Sequence, residues 1–287
     1  MVGVVAGEER RVGLGRIIRM PRLDLQGSEA RPIDTIDSVV NSRLARTYLR
    51  PLRPVFIGLF VALVPVFLIT ANVRLVINLP ALYSYGYDRH EGEITRYMDI
   101  ERGDYVDGGR QIRDYFNNDA ERLDVRVVVG GILRSIYSER EVLHMSDVKG
   151  LVRGVYRLGE VAGLYLLGFA VAGMFLQPWR RSLQRTAWHL AMGGAVTLGL
   201  VVLVGLGSLA GNDRLFLAFH EVSFSNDLWQ LNPRTDYLIA MFPEGFFFDA
   251  TILITMLVIV ESTLLAAPRW VGAARRRRRD ARPATTA

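Results

Sequence analysis

Four long apolar runs divide the chain and predict four membrane-spanning helices. The runs cover residues 54–73, 158–176, 187–209 and 250–267. Each approaches the roughly 20 apolar residues that a helix needs to cross the hydrocarbon core of a bilayer. Pro65 lies inside the first run and predicts a kink there, and the third run is rich in Gly and Ala, which favours close packing against a neighbouring helix. The pattern predicts an all-α membrane protein whose four transmembrane helices carry a small, mostly helical extracytoplasmic cap.

The cap is the polar stretch between the first two runs, residues 79–156. Helical spacing of apolar residues occurs at 109–123 and again from Ser138 onward, where Ser138 and Glu141 have the spacing of a capping box. Residues 123–137 between them fit a strand and the end of a helix equally well. A cap of roughly 75 residues buries too little surface to fold well alone, so we expect the adjoining spans to hold it.

Charge is distributed in a way that predicts the topology. Residues 1–53 carry a net charge of +4, residues 177–186 hold three Arg and no acid, and residues 268–287 hold seven Arg against one Asp. The cap and a second loop at 210–248 each carry −3. Basic loops stay in the cytoplasm, so both termini are expected inside and both acidic segments outside. The predicted parts are a basic cytoplasmic segment at 1–53, a membrane domain at 54–267 with its cap at 79–156 and second outer loop at 210–248, and an Arg-rich cytoplasmic tail at 268–287.

The termini add expectations about partners. The five consecutive arginines at 275–279 resemble a nucleic-acid patch. Directly after a span, however, such a run favours anionic lipid, so we expect a lipid contact and no nucleic acid. Residues 33–49 have the spacing of an amphipathic helix on the inner membrane face. Met20 is an alternative start, and no signal peptide is expected. The sequence carries no indication of the oligomeric state.

Two of the four histidines are candidates for chemistry. His189 lies at the inner end of the third span and is interpreted as an interfacial residue, and His90 is interpreted as solvated in a polar loop. His144 and His220 lie in the two outer segments, each near a point where the chain enters the membrane. Two histidines that reach one water–lipid boundary from separate loops have the character of an acid/base pair.

Neighbouring residues leave two interpretations open for each histidine. In a helix, Asp147 shares a face with His144 and has the spacing to hold its second ring nitrogen, although the same spacing is common in surface charge pairs. Around His220, aromatic residues predict either a pocket wall or an interfacial belt. They are Phe219, Phe224, Trp229, Phe242 and Phe246.

Charged groups near the outer boundary are expected to pair with one another. Arg74 directly follows the first span, where it either reaches the headgroups or faces a polar cavity. Arg74 and Arg234 are the expected partners of the acids near this boundary, because charges at such a depth are costly when unpaired. These acids are Asp236, Glu244 and Asp249.

Several kinds of chemistry have no motif in this chain. The absence of cysteine excludes disulfides, thiolate metal sites and a cysteine nucleophile. No spacing of His and acids typical of a metal site, no nucleotide-binding loop and no serine-hydrolase elbow occur, so neither a metal nor a cofactor is expected. Four spans without paired broken helices also argue against a transporter.

Two long motifs, in order between the right spans, carry a resemblance to a known family. They are EREVLHMSDVKGL at 139–151, near the end of the cap, and FHEVSFSNDLWQLNPRTDYLIAMFPEGFF in the second outer loop. With the LPALYSYGY segment after the first span, the chain resembles, over roughly residues 55–267, a bacterial four-span membrane family that includes the lipoprotein intramolecular transacylases. The basic N-terminal segment and the Arg tail fall outside that pattern.

The resemblance implies an enzyme that acts on a lipid-anchored protein in the membrane. It implies transfer of the sn-2 acyl chain of a diacylglyceryl lipoprotein to the α-amine of the same molecule's N-terminal cysteine, giving a lyso-form lipoprotein. His144 and His220 fall on the two implied catalytic positions. Asp147, Arg74, Asn226 and Trp229 are the expected polar support. The alternatives are a non-catalytic scaffold or lipid- or partner-binding protein, and a different lipid-modifying acyltransferase or hydrolase.

Overall fold

The computed structural model describes the backbone of residues 50–208 and 212–280, and the side chains of residues 52–205 and 216–267. The predicted amphipathic helix at 33–49 and the side chains of the Arg tail lie outside the described residues. The elements in chain order are α1 (Arg50–Ile77), α2 (Pro80–Tyr97), α3 (Arg102–Asn117), β1 (Arg126–Val129), β2 (Ile132–Ser135), α4 (Glu139–Leu176), α5 (Trp179–Ser208), α6 (Asn212–Ser223), α7 (Tyr237–Met241) and α8 (Glu244–Asp280).

Four of these helices are long and apolar enough to cross a membrane, which confirms the predicted all-α membrane protein with four spans. The span candidates are Leu52–Ile77, Glu139–Leu176, Trp179–Gly205 and Glu244–Ala267. Each makes its own backbone hydrogen bonds, so an apolar run of sufficient length is enough to specify a span.

Helix α4 belongs to both the cap and the membrane domain. Its 38 residues extend about 57 Å at 1.5 Å per residue, nearly twice the thickness of a hydrocarbon core. Large exposed apolar side chains become dense from Leu158 onward, through Val161 and Leu164. The membrane section of α4 therefore corresponds to the predicted span at 158–176, and the section before it is the last helix of the cap. Sequence patterning suggested a cap helix and a span, and the chain joins them without a break.

Close packing in the membrane occurs at the glycines of α5. A methyl group at Gly194 would lie 2.8 Å from the carbonyl oxygen of Ser262 in α8, and one at Gly193 would lie 2.5 Å from Val64 in α1. Larger side chains would hold these helices apart. The Gly-rich composition of the third span thus has the packing role expected for it.

The cap has an apolar core of its own, built from α2, α3, the hairpin and the first turns of α4. Tyr105, Ile94 and Val125 are fully buried in it, and Met241 of α7 joins them. Residues 123–137, which fitted a strand or a helix end, form an antiparallel hairpin of β1 and β2. Its two-residue turn is Gly130–Gly131, with φ of 59° and 78°, a left-handed backbone that glycine adopts without strain.

The charge pairs at the outer boundary differ from those expected. Arg74 pairs with Glu160 of α4, with 2.6 Å between Nη1 and Oε1. Asp249 instead accepts from Nε2 of His90 at 3.1 Å. His90 is largely buried, with 14 % of its side chain exposed, so the interpretation of His90 as solvated was wrong. Sequence could not show this because α2 and α8 meet only in the folded protein.

Candidate functional site

His144 is held in the second turn of α4 by a well-capped helix start. The Ser138 hydroxyl accepts from the Glu141 backbone N–H, and the Glu141 carboxylate accepts from the Ser138 N–H at 2.7 Å, so the predicted capping box is present. Because the capping box fixes the first turn of α4, it also fixes the direction of the His144 side chain one turn later. The His144 side chain is buried, at 5 % exposure.

His220 lies in the last turn of α6 and is also buried. Its Nδ1 lies 2.8 Å from the carbonyl oxygen of Phe216, one turn earlier. A carbonyl can only accept, so Nδ1 carries the proton and donates it to this bond. In the neutral tautomer that this bond selects, Nε2 is the ring nitrogen left free to accept a proton, as a base requires.

The two rings meet although they come from segments far apart in sequence. Their centroids are 6.3 Å apart and the ring planes differ by 33°. Phe224 contacts both histidines, at 5.2 Å from His144 and 5.7 Å from His220. A cavity of about 40 Å³ lies beside the pair. It is lined by His144, Phe216, His220, Trp229, Leu231, Leu238, Ile239, Phe242 and Phe247.

Aromatic rings surround His220 on several sides. Phe216, Phe219 and Trp229 have ring centroids 4.2, 5.1 and 5.1 Å from that of His220. Four of the five predicted aromatic residues therefore contact the histidines or line the cavity. Phe246 does not, since it packs against Tyr83 and Phe242 in the cap core.

Burial determines the protonation of His144. The pKa of His144 is lowered to about 4, chiefly by removal from water and also by the neighbouring His220, while Asp147 acts in the opposite direction. The residue lies in the cap section of α4, before the span that begins at Leu158. His144 is therefore neutral near pH 7, and the pair does not carry two positive charges.

Comparison with known proteins now identifies the family. Residues 58–247 match the family of the lipoprotein intramolecular transacylase Lit. This chain belongs to the Lit family. No curated protein matches it.

Solved structures of Lit share the fold. An in meso structure of membrane-integral Lit from Bacillus cereus has a TM-score of 0.63 at 18 % identity, covering 78 % of this chain and 97 % of that one. A variant of the same protein with one histidine replaced by arginine has a TM-score of 0.60 at 16 % identity, covering 85 % and 98 %. A third, with alanine at a histidine, has a TM-score of 0.56 at 17 % identity, covering 84 % and 99 %. This Lit-family chain is thus an integral, multi-pass membrane protein.

The expected polar support is only partly assembled around the pair. Trp229 lies against His220, as described above. Asp147 is exposed and accepts a hydrogen bond of 2.9 Å from Asn226, joining α4 to the second outer loop. The Nδ1 atom of His144 is buried and has no hydrogen-bond partner among the described residues, so Asp147 does not hold it. The side chain of Arg74 contacts Glu160 and the ring of Tyr156, and neither histidine is among its described partners.

Two residues of α4 that sequence analysis did not assign to the site hold its two halves together. Glu141 is 1 % exposed, and its Oε1 accepts from the backbone N–H of Leu238 at 2.6 Å. Arg140 donates to the carbonyl oxygens of Asp227 and Gln230. The sequence pointed to Glu141 only as a capping residue, and backbone partners have no side-chain signature.

Two aromatic residues of the cavity were also missed. Phe216 precedes His220 by one helical turn, a spacing that could have identified it. Phe247 follows Phe246 on α8, and its ring centroid is 6.2 Å from that of Phe216. Within the part of the chain that the structure describes, no group of three or more His, Asp or Glu side chains could hold a metal ion.

Proposed function

We propose that this chain moves the sn-2 acyl chain of a diacylglyceryl lipoprotein to the α-amine of the same molecule's N-terminal cysteine. The observation that carries the proposal is the meeting of His144 and His220 from separate segments, with ring centroids 6.3 Å apart. Membership of the Lit family supplies the reaction class. The reaction replaces an ester by an amide, so it needs no nucleotide to drive it.

His220 is proposed as the base. The α-amine has an ordinary pKa of about 8, so a fraction is neutral near pH 7 and can attack the ester carbonyl carbon. As the N–C bond forms, Nε2 of His220 takes a proton from the amine nitrogen. The hydrogen bond from Nδ1 to the Phe216 carbonyl stabilises the imidazolium that forms, because this bond strengthens when the ring is charged.

His144 is proposed to stabilise the oxyanion. A neutral imidazole can donate one N–H, and the lowered pKa keeps His144 in this neutral state. When the intermediate collapses, the bond from the carbonyl carbon to the sn-2 oxygen breaks. The proton held by His220 passes to that oxygen, so the products are an amide and a free glyceryl hydroxyl. Both histidines return to their starting states.

The size of the cavity limits what it can hold. About 40 Å³ accommodates a few small groups, on the scale of two or three waters. The ester carbonyl therefore fits beside the histidines, whereas an acyl chain must lie elsewhere. Phe219 and Val222 on α6 are exposed at 54 % and 88 % beside the pair. We propose that the acyl chain lies along this apolar face of α6, in contact with lipid.

The charge distribution supports an orientation for the site. Basic segments at 1–53, 177–186 and 268–287 favour the cytoplasm, and the acidic cap and second outer loop favour the outer face. This orientation puts the His pair outside, in the plasma membrane, on the side that carries anchored lipoproteins. The Arg-rich tail is proposed to bind anionic lipid at the inner face.

Mass spectrometry of lipoprotein N-termini tests the proposal. A bacterial host that leaves its lipoproteins as diacylglyceryl forms would express this chain, the His144→Ala variant or the His220→Ala variant. We expect lyso-form N-termini with the parent chain and diacylglyceryl N-termini with either variant. His90→Asn is the matched control, because His90 pairs with Asp249 away from the cavity, and it should retain activity.

Two outcomes would reject parts of the proposal. Unchanged diacylglyceryl N-termini with the well-expressed parent chain would exclude the lipoprotein reaction. Full activity in the His144→Ala and His220→Ala variants would exclude the histidine mechanism. A scaffold would keep its cellular effect in both variants, which separates that alternative from an enzyme.

A further inference from the structure

The hairpin of the cap has two edges whose backbone groups differ in their partners. Val129 faces Ile132 across the two-residue turn, and the register continues with Val128 facing Leu133 and Arg126 facing Ser135. In such a hairpin the pair beside the turn is hydrogen-bonded and the pairs then alternate. The bond from the Ile136 N–H to the Val125 carbonyl fits this alternation. Val128 and Arg126 therefore direct their backbone groups away from β2.

The outer edge of β1 is covered by side chains of α3. The Val128 N–H donates to Asp104 Oδ1 at 2.9 Å, and the Arg126 N–H donates to Gln111 Oε1 at 2.9 Å. Gln111 also donates to the Arg126 carbonyl at 2.9 Å. The chain thus satisfies this strand edge with dedicated polar residues, and no further strand can pair there.

The outer edge of β2 has no such cover. By the same alternation, Leu133 and Ser135 direct their N–H and carbonyl groups away from β1. These groups have no partner among the residues that the structure describes, and all four side chains of β2 are exposed. Ile132 and Leu133 are 65 % and 67 % exposed. Natural edge strands are usually kept short, carry charged residues or Pro, or are covered by another element. β2 is a short strand with one charged residue, Arg134, whose guanidinium donates to the Tyr237 hydroxyl. It contains no Pro, and its outward backbone groups have no covering partner among the described residues.

We propose that the free edge of β2 binds an extended polypeptide by strand addition, and that this polypeptide is the segment following the lipid-modified cysteine of the substrate. The proposal rests on the proposed function. A free strand edge offers an N–H and a carbonyl at every second residue, which an extended backbone of any sequence can match. Leu133 and Ile132 add apolar contacts that do not require a particular side chain.

Position favours the substrate over a second copy of this chain. β2 leads through three residues into α4, which carries His144. Arg134 of β2 also donates to the Tyr237 hydroxyl at 2.6 Å, and Tyr237 begins α7, whose Leu238 and Ile239 line the cavity. The free edge and the cavity are therefore attached to the same two elements.

The length of chain between edge and cavity sets the register. From Ser135, a few extended residues and one and a half turns of α4 reach His144, a path of roughly 20 Å at most. An extended peptide advances about 3.3 Å per residue. A cysteine at the histidines would therefore bring its chain to β2 within about six residues. A peptide that ends two residues after the cysteine spans only about 7 Å and is too short to pair along the strand.

Synthetic diacylglyceryl-cysteine peptides test this with the purified full-length protein in micelles. One substrate continues for two residues after the cysteine and the other for ten. We expect the longer substrate to have a KM about tenfold lower with a similar kcat, the effect of a few net hydrogen bonds. Leu133→Pro removes one outward N–H and is tolerated at a strand edge. It should raise KM for the long substrate several-fold and leave the short one unchanged, whereas Leu133→Ala, which keeps the N–H, should have a smaller effect.

A second measurement needs no protein variant. N-methyl groups placed singly along the ten-residue substrate should raise KM at alternate positions, because only every second N–H faces β2. Equal KM values for the two lengths, or no alternation, would overturn the proposal. A change from dimer to monomer in Leu133→Pro with an unchanged KM ratio would assign the edge to a second copy and overturn it too. If neither substrate reacts, the proposed transacylase function fails instead.

Discussion

Replacing Glu141 should loosen the site more than any change of equal size elsewhere on the first turn of α4. The buried carboxylate accepts hydrogen bonds from two backbone N–H groups, that of Ser138 at the N-cap of α4 and that of Leu238 in α7. Glutamine has nearly the same shape but only one accepting oxygen. In Glu141→Gln one of these buried N–H groups must face an NH₂ group, and in Glu141→Ala both lose their acceptor.

The expected loss follows from the burial of these groups. An unsatisfied buried N–H costs about 1–3 kcal/mol, and more when the lost acceptor was charged. We expect Glu141→Gln to lose about 1–3 kcal/mol and Glu141→Ala about twice as much. For a chain of this size each kcal/mol corresponds to about 2–4 °C in Tm. Activity should fall as well, because Leu238 lines the cavity beside His144.

Thermal unfolding in detergent micelles, followed by circular dichroism, measures the stability change. Glu139→Gln is the matched control, because Glu139 lies in the same turn, is 65 % exposed and pairs with Arg122 at the surface. Exposed pairs contribute at most about 1 kcal/mol. If Glu141→Gln has the Tm and activity of Glu139→Gln, then Glu141 does not connect the two halves of the site.

Three further changes follow from the site. The folded-state pKa of His144 is about 4 against an ordinary 6.5, so below pH 6.5 the unfolded chain takes up a proton that the folded one does not, and stability falls as the pH drops toward 4. His144→Asn should remove this loss, about 2 kcal/mol at pH 5, and so reduce the Tm difference between pH 7 and pH 5, whereas an unchanged difference would contradict the burial argument. Phe216→Ala should cost less than the about 3–5 kcal/mol lost on removing a fully buried Phe ring, because Phe216 is partly exposed. The Tm of the variant measures this cost, and an unchanged Tm would mean that the ring does not pack on His220. Asn226→Ala removes an exposed bond to Asp147 and should cost under about 1 kcal/mol while speeding proteolysis of the loop around it, as limited digestion would show.

The spans were predictable from sequence because a membrane helix needs little beyond length and apolarity. The capping box at Ser138 was predictable for a similar reason, since all its groups lie within four residues. The continuity of α4 was harder to see. No proline or cap signal interrupts the chain between Ser138 and Leu176, but the change from polar to apolar composition looks like a boundary between elements. The change in composition along α4 marks the passage from water to lipid, while the helical backbone continues unchanged.

The two histidines could be selected as candidates from sequence because histidine is rare in this chain and the motifs around them are long. Their neighbours were predicted less well. Asp147 has the helical spacing to face His144, but it is exposed and bonds to Asn226, because spacing along one helix does not include the loop that packs on it. The predicted role of Arg74 beside the histidines was wrong for the same reason, because Arg74 forms an ion pair with Glu160 of a neighbouring helix.

The contacts that unite the site are the ones that sequence hides most completely. Glu141 and Arg140 both bind backbone groups of the second outer loop, and every residue of a loop has such groups. No pattern in the loop marks Leu238 as a donor or Asp227 as an acceptor, so only the side-chain half of each pair is visible. The same holds for β2, whose free N–H and carbonyl groups are defined by its register with β1. A site built from two loops is thus visible in sequence through its reactive side chains, while the relative position of the loops depends on backbone pairing that any residue can provide.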